Sequence, residues 1–122
     1  DIIVYRYADA ILFDAEIKMA KNDISGAVAS LNRIAKRAYG KENFYPASIS
    51  ASDLNEAIVT ERMKEFAAEG KLWWDFIRLG VVFKKAPYLV GRDNEQNVLL
   101  WPVAQTSINK NPNITQTPGY DK

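Results

Sequence analysis

One stretch decides the fold of this chain: residues 61–80, which read ERMKEFAAEGKLWWDFIRLG. Its charged side chains are interspersed with two tryptophans, two phenylalanines and several aliphatic residues. Glu61, Glu65 and Glu69 recur every four residues, so on a helix they would form one acidic row. Charges so close to bulky apolar residues are not typical of a solvated helix face. We therefore expect them either to pair with one another inside the fold or to bind a ligand.

Basic residues lie beside this acidic row. Arg62 adjoins it, and Asp75 and Arg78 stand three residues apart just beyond it. This mixture of charges favours a structural ion-pair network, since paired charges of this kind commonly serve a scaffold. The residues predicted to form the network are Arg6, Asp9, Glu61, Arg62, Glu65, Glu69, Asp75 and Arg78.

The same carboxylates allow a second interpretation, in which the chain is a hydrolase. Glu61, Glu65 and Asp75 could supply the acid–base pair of a glycosidase. However, a row at intervals of four crowds like charges, and nearby lysines and arginines would neutralise them. We therefore expect no catalytic residue and no enzymatic activity.

The composition excludes several classes of site. The chain has 122 residues, 48% of them hydrophobic and 25% charged, but no cysteine and no histidine. That rules out the usual zinc sites, thiol nucleophiles and Ser-His-Asp triads. There is no glycine-rich phosphate loop, and Asp9, Asp14 and Glu16 are not spaced like a calcium loop. We expect neither a metal nor a cofactor.

Charge and hydropathy limit the kinds of partner that we expect for the chain. A formal net charge of +1 argues against a dedicated nucleic-acid surface. No apolar run approaches the ~20 residues that a membrane-spanning helix needs. The sequence begins with Asp and enters helical periodicity at once, so we expect it to be a piece of a longer protein.

The spacing of apolar residues predicts an all-α fold in one domain, residues 1–122. Asn22 and Gly40 are suited to end helices, Asp23 to cap the second, and Asp53 to cap the third as a D-x-x-E box. Because the first connection is short, the first two helices should be antiparallel, like a tetratricopeptide unit. The sequence predicts about four helices, at residues 4–21, 24–39, 54–69 and 71–79, followed by a long, irregular, proline-rich tail at 81–122.

The three tryptophans are the candidates for ligand binding. Trp73, Trp74 and Trp101 could stack on a sugar ring or on a partner surface, although tryptophan in a small helical domain is more often part of the core. Trp73 and Trp74 are adjacent, so on a helix they point about 100 degrees apart. We expect one of them to be exposed.

Four ordered motifs resemble the SusD/RagB family. Residues 61–80 resemble its pattern E-R-x-x-E-F-x-x-E-G followed by D-F-x-R-x-G. Residues 6–16 resemble its R-Y-A-D-x-L-L-x-x-A-E helix, and residues 31–38 its L-N-x-x-R-x-R-A helix. Residues 111–120 resemble its closing N-P-x-x-x-Q-N-P-G-Y. The match covers nearly the whole chain.

The resemblance implies both a fold and a function. Such proteins are mostly helical, with tetratricopeptide-like helix pairs as the scaffold. They are lipoproteins on the outer face of the outer membrane, where they bind glycans or other nutrients and pair with a TonB-dependent transporter. This chain would be the C-terminal, scaffold portion of such a protein. It would reach the membrane only through an N-terminal lipid anchor that lies outside this sequence.

The chain also departs from the family pattern. Leu72 stands where the family usually has an arginine after E-G, and Ala35 replaces the first arginine of the second helix. Ala104, Ser107 and Thr117 replace a proline, a glutamate and an asparagine. The motifs that do match are scaffold motifs, so the resemblance assigns no ligand-binding residue. The alternative from the residues alone is a tetratricopeptide-like adaptor that binds a peptide in a helical groove.

Overall fold

The computed structural model describes residues 4–120 of the chain. Every regular element within those residues is helical, so the all-α prediction is confirmed. Contacts divide the chain into a first unit, up to Leu72, and a second unit, from Trp73 onwards. The helices are α1 (Tyr7–Ala20), α2 (Ile24–Tyr39), α3 (Ala51–Glu65), α4 (Leu72–Arg78), α5 (Val82–Lys85) and α6 (Gln105–Lys110), with a 3₁₀ turn (Gln96–Leu99) between the last two.

The α1–α2 pair ends and begins where its local signals predict. Asn22 has a φ of 61°, in the left-handed region that terminates helices. The Asp23 side chain then accepts a hydrogen bond of 2.9 Å from the Gly26 N–H and so caps α2. Gly40, with a φ of 66°, ends α2 in the left-handed conformation. The tight connection lets the two helices pack along their length.

The core of the first unit lies between α1, α2 and α3. Small residues stand at the contacts: Ala15 and Ala27 are fully buried, which allows the helix backbones to approach closely. Leu12, Leu31 and Leu54 are also inaccessible to solvent. Burial of each such side chain contributes about 1.5–3 kcal/mol relative to an exposed position.

The bounds of α1 and α3 differ from the predicted ones. The first helix begins at Tyr7 rather than residue 4, because Arg6 is extended and serves as its N-cap. The third begins at Ala51, because the Ser50 hydroxyl accepts from the Asp53 N–H at 3.1 Å. Asp53 is therefore not the N-cap that the sequence predicts; it lies in the first turn.

The predicted third helix also ends earlier, at Glu65 instead of residue 69. Phe66 is its C-cap, and Ala68 and Gly70 follow with positive φ values of 64° and 73°. A helix cannot continue through left-handed residues. The acidic row is consequently broken, and Glu69 belongs to the turn that follows α3.

Asn32 fixes the loop between α2 and α3. Its side-chain Nδ2 donates to the Tyr45 carbonyl at 2.9 Å, while its Oδ1 accepts from the Tyr45 N–H at 2.8 Å. The backbone N–H and the backbone carbonyl of Tyr45 are thereby both hydrogen-bonded. The contact holds Tyr45 against α2.

The second unit contains short elements where the sequence predicts an irregular tail. Helices α5 and α6 and the 3₁₀ turn are four to six residues long, too short to produce a helical hydrophobic period. Near the end of the second unit, the Gln116 side chain makes two hydrogen bonds to the backbone of Val103, and we call this pair of bonds the clamp. The side chain accepts from the Val103 N–H at 2.7 Å and donates to the Val103 carbonyl at 3.0 Å. The Thr117 hydroxyl donates to the Trp101 carbonyl at 2.9 Å. Residues 121 and 122 of the predicted tail lie outside the described residues.

None of the helices described in residues 4–120 combines the length and the apolar character that crossing a membrane requires.

Candidate functional site

A charged hub fills the end of the first unit. We use this name for Arg6, Asp9, Glu16, Arg37, Arg62, Glu65, Glu69 and Lys71. At its centre Arg62, on α3, is 2% exposed. Its Nη1 lies 3.3 Å from a Glu16 carboxylate oxygen and its Nη2 lies 3.9 Å from Asp9 Oδ1. A buried guanidinium at this place is stable because carboxylates from α1 surround it.

Asp9 is the buried carboxylate that faces Arg62. Lys71 Nζ donates to its Oδ2 at 2.7 Å, and the Arg6 backbone N–H donates to the same oxygen at 3.0 Å. Burial opposes ionisation of Asp9, but the bonds from Lys71 and Arg6 and the charge of Arg62 outweigh it. They hold the pKa of the Asp9 carboxyl below its usual range. The carboxylate form is therefore favoured inside the fold.

Arg6 connects α1 to the turn after α3. Its Nε donates to Glu69 at 3.0 Å, its Nη2 lies 2.8 Å from the same carboxylate, and its Nη1 donates to Glu65. Arg37 of α2 donates to the other carboxylate oxygen of Glu65. The bond to Glu69 is the main reason why the pKa of Arg6 is raised, and the same bond lowers the pKa of Glu69.

Phe66 lies at the middle of these cations. Its ring is fully buried, and Arg6, Arg62 and Lys71 lie over it at 4.8, 4.8 and 4.6 Å from the centroid. The π-face of an aromatic ring attracts cations by its quadrupole. Phe66 therefore provides both apolar contact area and electrostatic stabilisation for the three basic side chains.

Three predicted network members lie outside the hub and have other partners. Glu61, which is 1% exposed, accepts hydrogen bonds of 2.7 Å from the hydroxyls of Tyr39 and Tyr45, and Lys64 lies 3.3 Å away. Burial and the bond to Glu61 raise the pKa of both tyrosines. Asp75, in the second unit, accepts from Arg78 Nε at 2.9 Å, one turn further along α4.

Sequence reasoning missed five members or neighbours of the hub, Arg37 among them. Glu16 follows Asp9 by seven residues, two helical turns, and that spacing could have indicated a shared face. Tyr39, Tyr45 and Lys71 carry no such signal, because their partners are distant in sequence. Lys71 precedes Leu72, which itself packs against the apolar core. The Lys71 ammonium thus bonds to Asp9 from the residue just before Leu72, the position at which the SusD/RagB pattern has arginine.

The tryptophans lie in the second unit, in different surroundings. Trp74 is 62% exposed and Trp101 is 78% exposed, whereas Trp73 is half-buried. Trp73 lines two hollows, of about 450 and about 270 Å³, and Trp101 lines the smaller one. Trp74 lines neither. The exposed member of the adjacent pair is thus Trp74, but its neighbour is the one that lines a cavity.

The larger hollow contains residues that the sequence did not single out. We call the two hollows together the aromatic cleft. Tyr88 and Tyr120 add aromatic rings, and Arg92, Glu95 and Asn97 add polar groups. Arg92 Nη2 lies 2.5 Å from a Glu95 oxygen, and this bond raises the pKa of Arg92 and lowers that of Glu95. No spacing rule links these residues, because the segment lacks a regular period.

Within residues 4–120, no group of three or more acidic side chains converges in a way that could hold a metal ion.

Comparisons with known proteins place this geometry in a family. Residues 1–98 match the SusD family. The chain is 29% identical to SusD-like protein P38 of Formosa agariphila over 98% of its own length, and 38% identical to SusD-like protein P2 of the same organism over 63%. It covers 25% and 16% of those two proteins.

A solved structure agrees. The crystal structure of a SusD superfamily protein from Bacteroides fragilis aligns with a TM-score of 0.78 at 33% identity, over 98% of this chain and 28% of that one. The chain thus spans about a quarter of the length of that structure and of the first relative. The family match extends over well more than half of the residues and includes the α1, α2 and α3 segments that build the charged hub. On this evidence the chain belongs to the SusD family.

Proposed function

We propose that this chain is the C-terminal, scaffold portion of a SusD-like protein that binds a glycan at the cell surface. The whole protein would be a lipoprotein of the outer membrane, held there by an N-terminal lipid anchor, and would work with a TonB-dependent transporter. The observation that carries the proposal is the SusD family match over residues 1–98. Because the chain covers only part of each relative, binding and transport are assigned to the whole protein.

The scaffold role is supported by the burial of the charged hub. Asp9, Arg62 and the Glu65 side chain are 2%, 2% and 7% exposed, and their polar atoms face one another. A soluble ligand could not reach such groups without opening the α1–α3 packing. Their energetic contribution is therefore to the fold, where removal of one partner is costly.

The same burial disfavours a hydrolase. Glu61 is inaccessible and is held by two tyrosine hydroxyls, and Glu65 is held by Arg6 and Arg37. A general acid or base must come within hydrogen-bond reach of the substrate. A binding role without catalysis is thus the better proposal. A free-standing peptide adaptor is disfavoured as well, because the α1–α2 pair lies inside the matched SusD segment.

The test uses the intact protein. Affinity electrophoresis through gels that contain one polysaccharide each should show retardation by at least one glycan, and protease treatment of whole cells should remove the protein from the surface. The matched variant is Glu65→Gln, which we expect to lower the melting temperature while the folded protein keeps its glycan affinity. Absence of binding across glycans, together with protection from protease, would overturn the proposal. Co-purification with an outer-membrane transporter tests the partner.

A further inference from the structure

We propose that Arg6 ends α3 from outside that helix, and that α3 lengthens to Glu69 whenever the Arg6 side chain is not in place. Arg6 lies at the start of α1, 63 residues before Glu69 along the chain. The end of α3 is thus a conformational device with two states, and a residue of another helix selects between them. The device lies wholly within the first unit and does not depend on the proposed glycan binding.

Residues 66–69 have a helical sequence but a non-helical conformation. They read FAAE, with two alanines, the strongest helix former, and a glutamate. Nevertheless Ala68 has a φ of 64°, in the left-handed region that is costly for any L residue except glycine. Where local preference and observed conformation disagree in this way, contacts from elsewhere in the fold must hold the segment.

The Glu65 carbonyl shows which contact holds the turn. In a helix that continued to residue 69, this carbonyl would accept a hydrogen bond from the Glu69 N–H, four residues further on. In the structure Arg6 Nη2 donates to it, and the Glu69 N–H bonds to the Phe66 carbonyl at 3.1 Å. The Arg6 guanidinium therefore takes the acceptor that the next helical turn needs, so this bond competes with helix extension.

The same guanidinium holds the Glu69 side chain in the turn. Arg6 Nε donates to the Glu69 carboxylate at 3.0 Å, and Arg6 Nη2 donates to it at 2.8 Å. Lys71 Nζ lies 3.3 Å from the other oxygen of that carboxylate. Because a guanidinium is a planar fork of donors, Arg6 can bind a backbone carbonyl and a carboxylate at once. Together these bonds offset the strain at Ala68.

Gly70 provides an end for the longer helix. Its φ of 73° already lies in the left-handed region, and a glycine in this conformation directly after the last helical residue is a very common way for a helix to end. A helix from Ala51 to Glu69 would therefore contain no strained alanine. Residues 67–70 are exposed in the turn, so their burial favours neither state.

The choice of state decides whether the hub can form. The turn brings Lys71 to Asp9, where Lys71 Nζ donates to the carboxylate at 2.7 Å. Lengthening α3 rebuilds this turn as helix and takes Lys71 away from Asp9. Docking of the start of α1, shortening of α3 and assembly of the hub are consequently one event, and a chain whose α1 is not yet packed has the longer α3.

Hydrogen–deuterium exchange of the intact protein, resolved to single amides by electron-transfer fragmentation, separates the two states. The N–H groups of residues 67–69 all gain i−4 helical acceptors only in the longer helix. The test variant is Arg6→Ala. Arg37→Ala is the matched control, because it also removes an arginine that binds the Glu65 side chain but leaves the Glu65 carbonyl untouched.

We expect Arg6→Ala to slow the exchange of the amides of residues 67–69 by about tenfold, and Arg37→Ala to leave their exchange at the wild-type rate. Adding Ala68→Gly to Arg6→Ala should restore fast exchange, since glycine favours the left-handed turn and disfavours the helix. Ala68→Gly alone should raise the equilibrium constant for folding, measured in urea, by about threefold, because it relieves the left-handed alanine.

Other results would overturn the proposal. Faster or unchanged exchange in Arg6→Ala would mean that the turn loosens or persists without its arginine but does not become helix. Equal slowing in Arg37→Ala would mean that the loss of positive charge, rather than of the carbonyl bond, controls the helix end. If Arg6→Ala does not fold, Ala68→Gly is the deciding variant: a folding equilibrium constant no higher than that of the wild type would contradict the strain on which the two-state end depends.

Discussion

At Arg62 a full positive charge lies in the interior of the first unit, where it depends on the carboxylates of α1. Replacement by alanine would leave Asp9 and Glu16 without this partner in a site that water reaches poorly. We expect Arg62→Ala to reduce the free energy of unfolding by about 3–5 kcal/mol. Arg62→Lys should recover only part of the loss, because an ammonium cannot span both carboxylates as a planar guanidinium does.

Urea denaturation of the intact protein measures this loss. The control is Lys36→Ala, since Lys36 pairs with Glu42 at a position where both side chains are more than half exposed. An exposed pair of this kind contributes about 1 kcal/mol or less. Equal denaturation midpoints for Arg62→Ala and the wild type would contradict the structural role of the hub.

Asp9 gives the hub a dependence on pH. Because folding lowers the pKa of this carboxyl from its ordinary value of 3.8, the unfolded chain takes up a proton more readily than the folded chain. The stabilisation is complete above about pH 5 and is lost as the pH falls through the lowered pKa. Asp9→Asn should be less stable than wild type at pH 7, with the two urea midpoints converging below about pH 4. A constant gap across that range would refute the coupling.

Tyr39 and Tyr45 share one acceptor, Glu61 Oε1. We expect Tyr39→Phe and Tyr45→Phe each to cost about 1–2 kcal/mol of unfolding free energy, since each removes a hydrogen bond to a buried charge. The double variant should cost more than the sum, because the carboxylate then loses both hydroxyls at once. Tyr88→Phe, at an exposed ring, should change stability by less than about 0.5 kcal/mol. Strict additivity would argue against a shared acceptor.

Among the elements, α3 shows how a cap sets a helix boundary. The Ser50 hydroxyl caps α3, whereas α6 begins after Ala104 with no side-chain cap. Ser50→Ala should therefore reduce the free energy of unfolding by about 1 kcal/mol. Thr106→Ala, the control at the start of α6, should have little effect. Comparable losses in the two variants, measured by urea denaturation, would mean that Ser50 is not acting as a cap.

The elements also show which boundaries a sequence reveals. Asn22, Asp23 and Gly40 act on their nearest neighbours, so their roles in ending α1 and in starting and ending α2 could be predicted. The predicted start of α3 was wrong because two possible capping residues, Ser50 and Asp53, stand three apart. Only the structure shows that the Ser50 hydroxyl accepts from the Asp53 backbone N–H and so caps the helix. Its end was wrong because Ala68 adopts a left-handed conformation that alanine rarely adopts.

For the whole molecule, the helical scaffold was far easier to predict than the aromatic cleft. Periodic apolar residues and motif spacing predict α1, α2 and α3, because a helix repeats a local rule. Turns and long-range contacts place Lys71 in the hub, Tyr45 against Glu61, and Tyr88 and Asn97 in the aromatic cleft. Leu72 and Lys71 illustrate the difference. The sequence shows that Leu72 replaces the usual arginine, but it does not show that the neighbouring Lys71 bonds to Asp9.

The second unit depends on the clamp that Gln116 forms with Val103. Gln116→Ala removes both hydrogen bonds and should loosen residues 100–103 and 117–120, the segments that bring Trp101 and Tyr120 to the aromatic cleft. Hydrogen–deuterium exchange of peptides from these segments should become faster. The control is Gln105→Ala, since the Gln105 side chain donates to Asn109 within α6. Unchanged exchange in the clamp variant would show that the segments are held by other contacts.

Asn32 has a consequence for how the length of this chain can vary. Its side-chain amide bonds to both the N–H and the carbonyl of the Tyr45 backbone. The number of residues between α2 and Tyr45 is therefore fixed. An insertion between Gly40 and Tyr45 would shift a different residue into register and take the tyrosine ring away from Glu61. An insertion between Pro46 and Ser50 would leave the register intact. We therefore expect natural variation in loop length among relatives to accumulate on the far side of Tyr45.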